Sequence, residues 1–424
     1  MSKPQMLTKE QALHSLIEPD LEDVYKDFHI HPELSFAEHR TAGIVAQRLR
    51  ANGYNVTEGV GRTGVVGVLD RGESPIVMLR ADMDGLPITE ATGLDYASTT
   101  TGELNGKQVD VMHGCGHDMH TTALLGAAAA LAADDSWRGR LVLVFQPAEE
   151  VGAGARAMIA DGLFERFGVP RVVLGQHVAP LPAGVIGMRE GPCFAAADSL
   201  KITIHGKGGH GSKPETTVDP IVLASAIVTR LQTVVSREIS ATESAVVTVG
   251  SFHAGDKENI ISDRAELALS IRSFEAEVRA RVLAAIERIV RGEAATSGAP
   301  REPEIEMMYS FPAVVNDAAA IESLRVAFTE ELPEVVLLDP GLITGSEDVG
   351  ILAETAGAPC AFWILGGADP ASFEGAMDEA DMARVVVGLP SNLPPFYAPV
   401  INPTLQLGVN ALHTAARTWL DSAS

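Results

Sequence analysis

The sequence predicts a mixed-sheet α/β catalytic domain that carries an inserted ferredoxin-like satellite domain. Three observations lead to this fold class. Apolar, β-rich runs alternate with segments of helical periodicity near both ends of the chain, which is typical of an α/β sheet. The middle follows the order strand, helix, strand, strand, helix, strand, which is that of a ferredoxin-like unit. The length of 424 residues, with 46% hydrophobic composition, exceeds what one core usually holds.

The first part of the chain contains most of the predicted sheet. Two helices come first, from about Lys9 to Phe28 and from Ala37 to Asn52, and Gly53 is a suitable stop for the second. Apolar runs then predict strands, with helical patterns between them. These strands are Gly64 to Leu69, Ile76 to Arg80, Leu141 to Phe145 and Arg171 to Gly175, and the helices are Thr121 to Ala133 and Ala155 to Phe167.

The middle of the chain has its own complete pattern. Its elements are strand Leu200 to His205, helix Asp219 to Val235, strand Ala245 to Phe252, strand Ala265 to Phe274, helix Glu275 to Ala295 and strand Glu304 to Tyr309. Alternation then resumes with helix Ala318 to Glu331, strand Ala361 to Leu365 and a last helix from Leu405 to Leu420. We therefore expect a discontinuous metal-binding catalytic domain, 1–190 with 311–424, and an inserted domain, 191–310.

Composition narrows the classes of partner. Lysine and arginine total 32 against 56 acidic residues, so the formal charge of −24 argues against nucleic acid and anionic membranes as partners. The apolar stretches fall short of the ~20 residues of a membrane helix, and the first residues show no apolar signal core. Three cysteines are too few for a disulfide framework in a chain of this size. These features predict a cytoplasmic protein.

Polar clusters follow three of the predicted strands. Asp82 and Asp84 come after IVMLR, Glu149 and Glu150 after LVLVFQPA, and His177 after VVLGQ. Ligands of open α/β sheets bind beyond the carboxyl ends of the strands, so these side chains can converge in one crevice.

A further cluster lies in HGCGHDMH, a glycine-bearing turn that opens an alanine-rich helix. A helix N-terminus and a nearby metal both lower the pKa of a thiol, so Cys115 could be a thiolate ligand. With His117, His177 and a carboxylate, the donor set suits zinc, cobalt or manganese. A turn after the strand would let one of Glu149 and Glu150 bind metal while the other activates water.

A plainer interpretation exists for each of these residues alone. Glu149 and Glu150 could be a solvated strand end, and Cys115 could be a small buried residue. This interpretation does not account for all of them together, and we expect a metal site.

These residues lie within segments that resemble the zinc aminoacylase and carboxypeptidase superfamily, in particular its hippurate-hydrolase-like and auxin-conjugate-hydrolase-like amidohydrolases. The matching segments span nearly the whole chain. They are FHIHPELSFAEHRTA, LRADMDGLPITE, MHGCGHDMHTTALLGAA, VFQPAEEVGAGARAMIADGL, GQHV, GKGGHGSKPETTVDPI, NIISDRAELALSIRSF and TGSEDVG.

The resemblance implies a role for each site residue. The positions of metal ligands are taken by Cys115, His117, Glu150 and His177. Glu149 takes the position of the general base, and Asp82 and Asp84 support the ligands. The resemblance also implies one or two divalent ions per chain (zinc, manganese, cobalt or nickel).

Three residues of the inserted domain receive roles in the same way. The resemblance implies that His210 stabilises the tetrahedral oxyanion, often across a dimer. It also implies that Asn259 and Arg272 hold the substrate carboxylate, although an arginine on a strand is often only a solvated or structural charge. We accordingly expect a homodimer, or a higher homo-oligomer, formed through this domain.

One position departs from the family pattern. Leu393 stands where the family supplies its last metal ligand, a histidine, and leucine cannot bind a metal. Three consequences are open: one of two metals is lost or weakened, a carboxylate such as Glu347 or Asp348 or water replaces the ligand, or the protein is inactive.

The leading prediction is a metal-dependent amidohydrolase that cleaves the amide bond of N-acyl amino acids, a small-molecule substrate. The acyl group could be acetyl, benzoyl or longer. One alternative is a dipeptidase or carboxypeptidase on the same scaffold. The other is a weakened or inactive relative that acts as a binding protein, which Leu393 favours and an intact Glu149 opposes.

Overall fold

The structure is a computed structural model that describes residues 20–72, 75–376, 379–390 and 395–420. The chain forms two compact units. The first comprises Met1–Gly191, Asn316–Gly341 and Asp348–Ser424, and the second comprises Pro192–Val315 and Leu342–Glu347.

The strands and helices of the described residues are numbered in chain order. The strands are β1 (Asn55–Val60), β2 (Gly64–Asp70), β3 (Ile76–Asp82), β4 (Thr101–Leu104), β5 (Lys107–Asp110), β6 (Arg140–Gln146), β7 (Val172–Pro182), β8 (Val185–Gly187), β9 (Gly191–Phe194), β10 (Ala196–His205), β11 (Gly209–His210), β12 (Ala245–Ala254), β13 (Ile260–Ile261), β14 (Arg264–Ser273), β15 (Glu304–Phe311), β16 (Val314–Asn316), β17 (Val336–Leu338) and β18 (Cys360–Ala368). The helices are α1 (Leu21–Ile30), α2 (His39–Ala51), α3 (His117–Ala133), α4 (Gly154–Ala160), α5 (Leu163–Phe167), α6 (Pro220–Thr233), α7 (Ala276–Thr296), α8 (Ala318–Glu331), α9 (Val349–Ala356), α10 (Glu379–Gly388) and α11 (Thr404–Leu420).

The first unit is built on an eight-stranded mixed sheet in the order β1-β2-β6-β3-β7-β18-β8-β17. Its centre is parallel, since β3 pairs in parallel with β6 and β7, and β7 with β18. Val77, Met78 and Leu79 of β3 are all fully buried, so both faces of this strand are covered. A strand covered on both faces has a continuous apolar sequence, which explains why IVMLR predicts a strand without alternation.

The alanine-rich run that follows the HGCGHDMH segment lies in the buried helix α3. Residues His117 to Leu131 are all buried. A Cβ atom on Gly126 would lie 2.6 Å from a Val409 methyl carbon and 2.7 Å from one of Leu21. Small side chains therefore let α3 pack closely against α11 and α1, and this packing fixes the helix whose first turn carries His117.

The second unit is an antiparallel sheet in the order β12-β14-β10-β15, with α6 and α7 packed against it. Buried and partly exposed residues alternate along β14, as expected for a strand with one covered face. The strands of this βαββαβ unit stand in the spatial order second, third, first, fourth. The predicted fold class, a mixed α/β sheet with a ferredoxin-like unit inserted in the chain, is confirmed.

The element boundaries differ from the predictions in a few places. The helix predicted from Ala155 to Phe167 is two helices, α4 and α5, because the chain turns at Gly162 with φ 81°. Of the first predicted helix, the part described begins at Leu21, and residues 9–19 lie outside the described residues. Short elements such as β1, the β4–β5 hairpin and α9 were not predicted, since their runs are too brief for a clear period.

None of the helices in the described part of the chain combines the length and the apolar composition needed to cross a membrane.

Candidate metal site

Four of the predicted clusters meet at one end of the central parallel strands. The Nε2 atom of His117 lies 3.9 Å from Oε2 of Glu149 and 3.9 Å from Oε1 of Glu150. The Sγ atom of Cys115 lies 3.5 Å from Nε2 of His177. One donor atom each of Cys115, His117 and His177 falls within 4.8 Å of the others, and the same holds for His117, Glu149 and Glu150. The structure therefore brings all five residues together around His117.

Gly116 allows Cys115 and His117 to face the same space. Its φ of 85° is a left-handed conformation, and a Cβ atom there would lie 2.4 Å from a Val178 methyl carbon. Only glycine meets both conditions without strain. The predicted glycine-bearing turn at the start of the alanine-rich helix is thus present, with His117 as the first residue of α3.

The hydrogen bonds of His177 determine which of its nitrogens can bind a metal. Its Nδ1 atom lies 2.7 Å from the carbonyl oxygen of Val178, which can only accept, so Nδ1 carries the proton. In the neutral ring, the Nε2 atom that faces Cys115 is then unprotonated. Burial lowers the pKa of His177 well below its usual value, which keeps the ring neutral.

His120 is a supporting residue that sequence reasoning did not select. Its Nε2 atom accepts the N–H of Val178 at 2.8 Å, so its Nδ1 atom carries the proton and donates to Oδ1 of Asp82 at 2.6 Å. Both nitrogens are therefore engaged, and His120 does not suit a ligand role although it lies close to His117 and Asp82. Its spacing of three residues from His117 was the available signal, because residues i and i+3 share a helix face.

Two buried polar atoms at the centre of the cluster have no hydrogen-bond partner among the described residues: Nε2 of His117 and Oε1 of Glu150. An unpaired buried polar group costs ~1–3 kcal/mol, and more when it is charged. Both atoms belong to residue types that bind divalent metals, and they lie 3.9 Å apart. The donor set of this cluster therefore fits a divalent metal ion.

The pKa values of Cys115 and Glu150 are also relevant to a bound cation. Burial, and then the neighbouring Glu150 carboxylate, raises the pKa of the Cys115 thiol well above its usual value. Burial also raises the pKa of Glu150 to about 7. The protein alone therefore raises the pKa of this thiol, which the sequence predicts a helix N-terminus and a nearby metal to lower. A divalent cation beside both groups would favour their ionised forms.

Asp82 and Asp84 lie directly behind these residues. Asp82 is fully buried between Arg80, whose Nη1 donates to it at 2.7 Å, and His120. The Oδ1 atom of Asp84 lies 3.3 Å from Nδ1 of His117 and accepts the N–H of Glu149 at 3.1 Å, while its Oδ2 atom accepts the N–H of Glu150 at 3.1 Å. Asp84 thus contacts one ring and two backbone groups of the cluster.

The turn that the sequence required before the two glutamates is present at Ala148. This residue has φ 50°, a left-handed conformation that costs a non-glycine residue ~1–2 kcal/mol. The turn allows Glu149 and Glu150 to approach the same nitrogen of His117.

The other predicted residues lie in the second unit or outside the described residues. His210, in β11, is exposed, and its Nδ1 atom accepts the N–H of Ser212 at 3.1 Å. The carbonyl of Asn259 accepts the N–H of Gly211 at 2.9 Å, so His210 and Asn259 lie at the short antiparallel pair of β11 and β13. Arg272, in β14, donates to Ser346 at 2.5 Å. Their roles toward a substrate stay predictions.

Leu393 lies outside the described residues. Of the carboxylates that could replace the missing ligand, Asp348 is already engaged: Oδ1 accepts from Arg80 at 2.9 Å and from Gln146 at 2.6 Å, and Oδ2 accepts the N–H of Ala155 at 3.1 Å. These contacts make Asp348 a poor substitute.

Comparison with known proteins adds three relatives. The chain is 39% identical over 357 residues to a protein of Campylobacter jejuni named hippurate hydrolase, covering 82% of this chain and 88% of the relative. It is 36% identical over 352 residues to N-acetyl-L-cysteine deacetylase of Bacillus subtilis, covering 82% and 81%. It is 37% identical over 357 residues to thermostable carboxypeptidase 1 of Saccharolobus solfataricus, covering 82% and 86%.

Solved structures agree across nearly the whole chain. A proposed aminohydrolase from methicillin-resistant Staphylococcus aureus matches with a TM-score of 0.83 and 32% identity, covering 97% of this chain and 98% of that one. A dinuclear metal-binding peptidase of the M20 family from Bacillus subtilis matches with a TM-score of 0.75 and 28% identity, covering 97% and 99%.

The sequence profile of peptidase family M20/M25/M40 matches residues 78–388. This match and the relatives confirm the predicted resemblance and the predicted enzyme class, a metal-dependent amidohydrolase. The chain belongs to peptidase family M20/M25/M40.

Proposed function

We propose that this protein hydrolyses the amide bond of N-acyl amino acids at the metal site centred on His117. The observation that supports this most directly is the pair of unpartnered buried atoms, Nε2 of His117 and Oε1 of Glu150, with the Glu149 carboxylate beside them. Relatives named hippurate hydrolase and N-acetyl-L-cysteine deacetylase point to the same bond type. The walls of the pocket around this site select the acyl group, the amino acid and its stereochemistry.

Cys115, His117, Glu150 and His177 would hold the metal. A divalent metal supplies Lewis acidity, which activates water and polarises a carbonyl oxygen. Zinc, manganese, cobalt and nickel all suit this mixture of sulfur, nitrogen and oxygen donors.

Glu149 is the proposed general base. Its carboxylate accepts a proton from the attacking water and returns that proton to the nitrogen of the leaving amino acid. Its neighbour Glu150 would serve as a ligand, and the turn at Ala148 keeps the two carboxylates near the same nitrogen of His117. One strand end therefore supplies both a ligand and a base.

Three residues of the second unit are proposed to contact the substrate. His210 would donate to the developing oxyanion, and Asn259 and Arg272 would bind the carboxylate of the amino acid. In this division, 1–190 with 311–424 binds metal, and 191–310 supplies substrate contacts and the contact between subunits of a homodimer. Three cysteines are too few for a disulfide framework in a chain of this size, which supports a reducing compartment such as the cytoplasm.

The number of metal ions depends on Leu393. Because leucine offers no donor atom, we expect one tightly bound ion per chain and a weakened second position. Leu393→His is expected to raise both metal content and hydrolysis. Unchanged metal content together with an unchanged rate would contradict this expectation.

A carboxypeptidase is the second candidate, because a relative of similar identity carries that name. A panel of N-acetyl, N-benzoyl and longer N-acyl amino acids, with dipeptides and blocked peptides alongside, separates the two by the ratio of kcat/KM values. Preference for peptides over every N-acyl amino acid would favour the carboxypeptidase.

The decisive experiment combines elemental analysis with turnover of that panel. The purified protein is expected to contain divalent metal and to hydrolyse N-acyl amino acids. Glu149→Gln is expected to keep the metal and lose hydrolysis, while Glu322→Gln, an exposed carboxylate on α8, keeps both. Bound metal with no Glu149-dependent hydrolysis would favour a binding protein instead.

A further inference from the structure

Two adjacent glutamates, Glu149 and Glu150, lie shortly after the end of β6. Successive side chains of a regular strand point to opposite faces, so adjacent glutamates would normally diverge. Here Glu149 and Glu150 both reach within 3.9 Å of Nε2 of His117. The backbone must therefore leave the extended conformation just before them. It does so at Ala148, whose φ is 50°.

A left-handed alanine needs contacts that hold it there. The N–H of Ala148 donates to Oε1 of Glu38 at 2.8 Å, and its carbonyl accepts the N–H of Gly154 at 3.0 Å. The next two N–H groups, of Glu149 and Glu150, donate to Asp84. Three consecutive backbone N–H groups are thus held by two buried carboxylates, and Glu38 holds the strained one.

Glu38 is itself fixed in place. It is fully buried at the start of α2, and Oε1 also accepts the N–H of Phe36 at 2.9 Å. Its Oε2 atom accepts from the hydroxyl of Thr63 at 2.5 Å. Phe36 is a second left-handed residue, with φ 61°. One carboxylate therefore secures two strained residues, only one of which adjoins the metal site.

A carboxylate in this position is costly for the fold. Burial, and then the nearby charge of Asp84, raises the pKa of Glu38 to about 7. Among the described residues, both oxygens of Glu38 accept hydrogen bonds from uncharged donors. Such a group is expected where its hydrogen bonds serve the geometry of a site.

We propose that Glu38 is a positioning residue, which fixes the left-handed turn at Ala148 and thereby directs Glu149 and Glu150 to the same metal site. In the described part of the chain, Glu38 accepts hydrogen bonds from two backbone N–H groups and from Thr63, and not from the side chain of Glu149 or Glu150. We assign Glu38 no part in proton transfer. The expected effect of Glu38 on kcat rests on the proposed function. Its expected effect on metal affinity concerns only the metal site.

The test is a set of double variants. Glu38→Ala removes the acceptor, and we expect kcat to fall ~10–100-fold with KM nearly unchanged, together with weaker metal binding. Glycine adopts positive φ without penalty, so Ala148→Gly in the Glu38→Ala background is expected to recover at least ~10-fold of kcat and of metal affinity. Phe36→Gly in the same background is the matched control. It relaxes the other residue held by Glu38 and is expected to restore neither quantity.

Metal affinity is measured by titration calorimetry with Zn²⁺, and folding by thermal unfolding of every variant. Equal recovery from Ala148→Gly and Phe36→Gly, or recovery from neither, would overturn the proposal in favour of a general loss of stability. Glu38→Gln is expected to stay within ~3-fold of wild type, since its amide oxygen can accept the same two N–H groups. A Gln variant that folds but is as impaired as Glu38→Ala also overturns the proposal.

If Glu38→Ala does not fold, Glu38→Asp, shorter by one methylene, carries the same double variants. If the wild-type protein hydrolyses no N-acyl amino acid, the proposed function fails, yet the affinity for Zn²⁺ across the same variants still decides the role of Glu38.

Discussion

Two buried clusters of ionisable residues in the first unit differ in how fully their atoms are paired. In the metal site, Nε2 of His117 and Oε1 of Glu150 have no hydrogen-bond partner among the described residues. In the second cluster, His29 lies between two carboxylates, with Nδ1 at 2.6 Å from Asp118 and Nε2 at 3.1 Å from Glu90. Both clusters are rich in histidine and carboxylate, so composition does not separate them.

The difference in pairing separates a site from a structural network. Burial alone would lower the pKa of His29, but hydrogen bonds to Asp118 and Glu90 raise it to about 9. Glu90 also accepts the N–H of Ser98 at 2.6 Å, and Asp118 accepts that of Met119 at 2.8 Å. In this second cluster, the ring nitrogens of His29 are paired with the carboxylates of Asp118 and Glu90, and this pairing stabilises the fold. The metal site, in contrast, retains donor atoms for a ligand.

The largest effect is expected from His117→Ala, which removes the Nε2 atom at the centre of the metal site. Hydrolysis of N-acyl amino acids should fall more than ~100-fold, because losing a group that only supports a ligand already costs ~10–100-fold. Metal content, measured by elemental analysis, should fall with it. His31→Gln, at an exposed histidine, is the control. Full metal content in His117→Ala would show that the cluster is not the metal site.

A smaller loss is expected from Asp84→Asn. Asparagine keeps one acceptor oxygen, so the N–H groups of Glu149 and Glu150 lose one of their two separate acceptors. We expect metal affinity and kcat to fall ~10–100-fold with the fold retained. Titration with Zn²⁺ and steady-state kinetics measure the two quantities. A variant with wild-type affinity would mean that Asp84 does not support the ligands.

A substitution in the His29 cluster should change the stability of the fold rather than the rate of hydrolysis. His29→Gln is expected to lower the free energy of unfolding by about 1 to 3 kcal/mol at pH 6. The pKa of His29 is raised in the folded state, so its contribution is complete below the unfolded value of about 6.5 and is lost as pH rises through about 9. The difference between variant and wild type should therefore shrink by pH 10, as measured by urea unfolding. A difference that grows with pH would contradict a protonated His29.

The smallest effect is expected at the surface of α1, the helix that also carries His29. Lys26 donates to Glu22 at 2.8 Å, and both side chains are partly exposed. Lys26→Ala should leave the free energy of unfolding nearly unchanged, because water and salt screen such a pair. A loss as large as that of His29→Gln would mean that pairing within the buried cluster is not what stabilises this region.

Most of the fold followed from local sequence. The apolar run of β6 and the alternation in β14 predict these strands within one or two residues, and the helix from Ala318 to Glu331 has the predicted bounds. The division of Ala155 to Phe167 into two helices was missed, because Gly162 breaks a pattern whose apolar period continues.

The sequence by itself determined the site's chemical identity. Cysteine, histidine and glutamate at strand ends and at a helix start already indicated a metal, because their donor atoms suit few other tasks in combination. The tertiary structure decided which atoms remain for the metal. His120 is engaged by Asp82 and by the backbone of Val178, and the turn at Ala148 depends on Glu38, more than a hundred positions away. Hydrogen bonds between distant parts of the chain leave no local pattern, so only the folded chain reveals them.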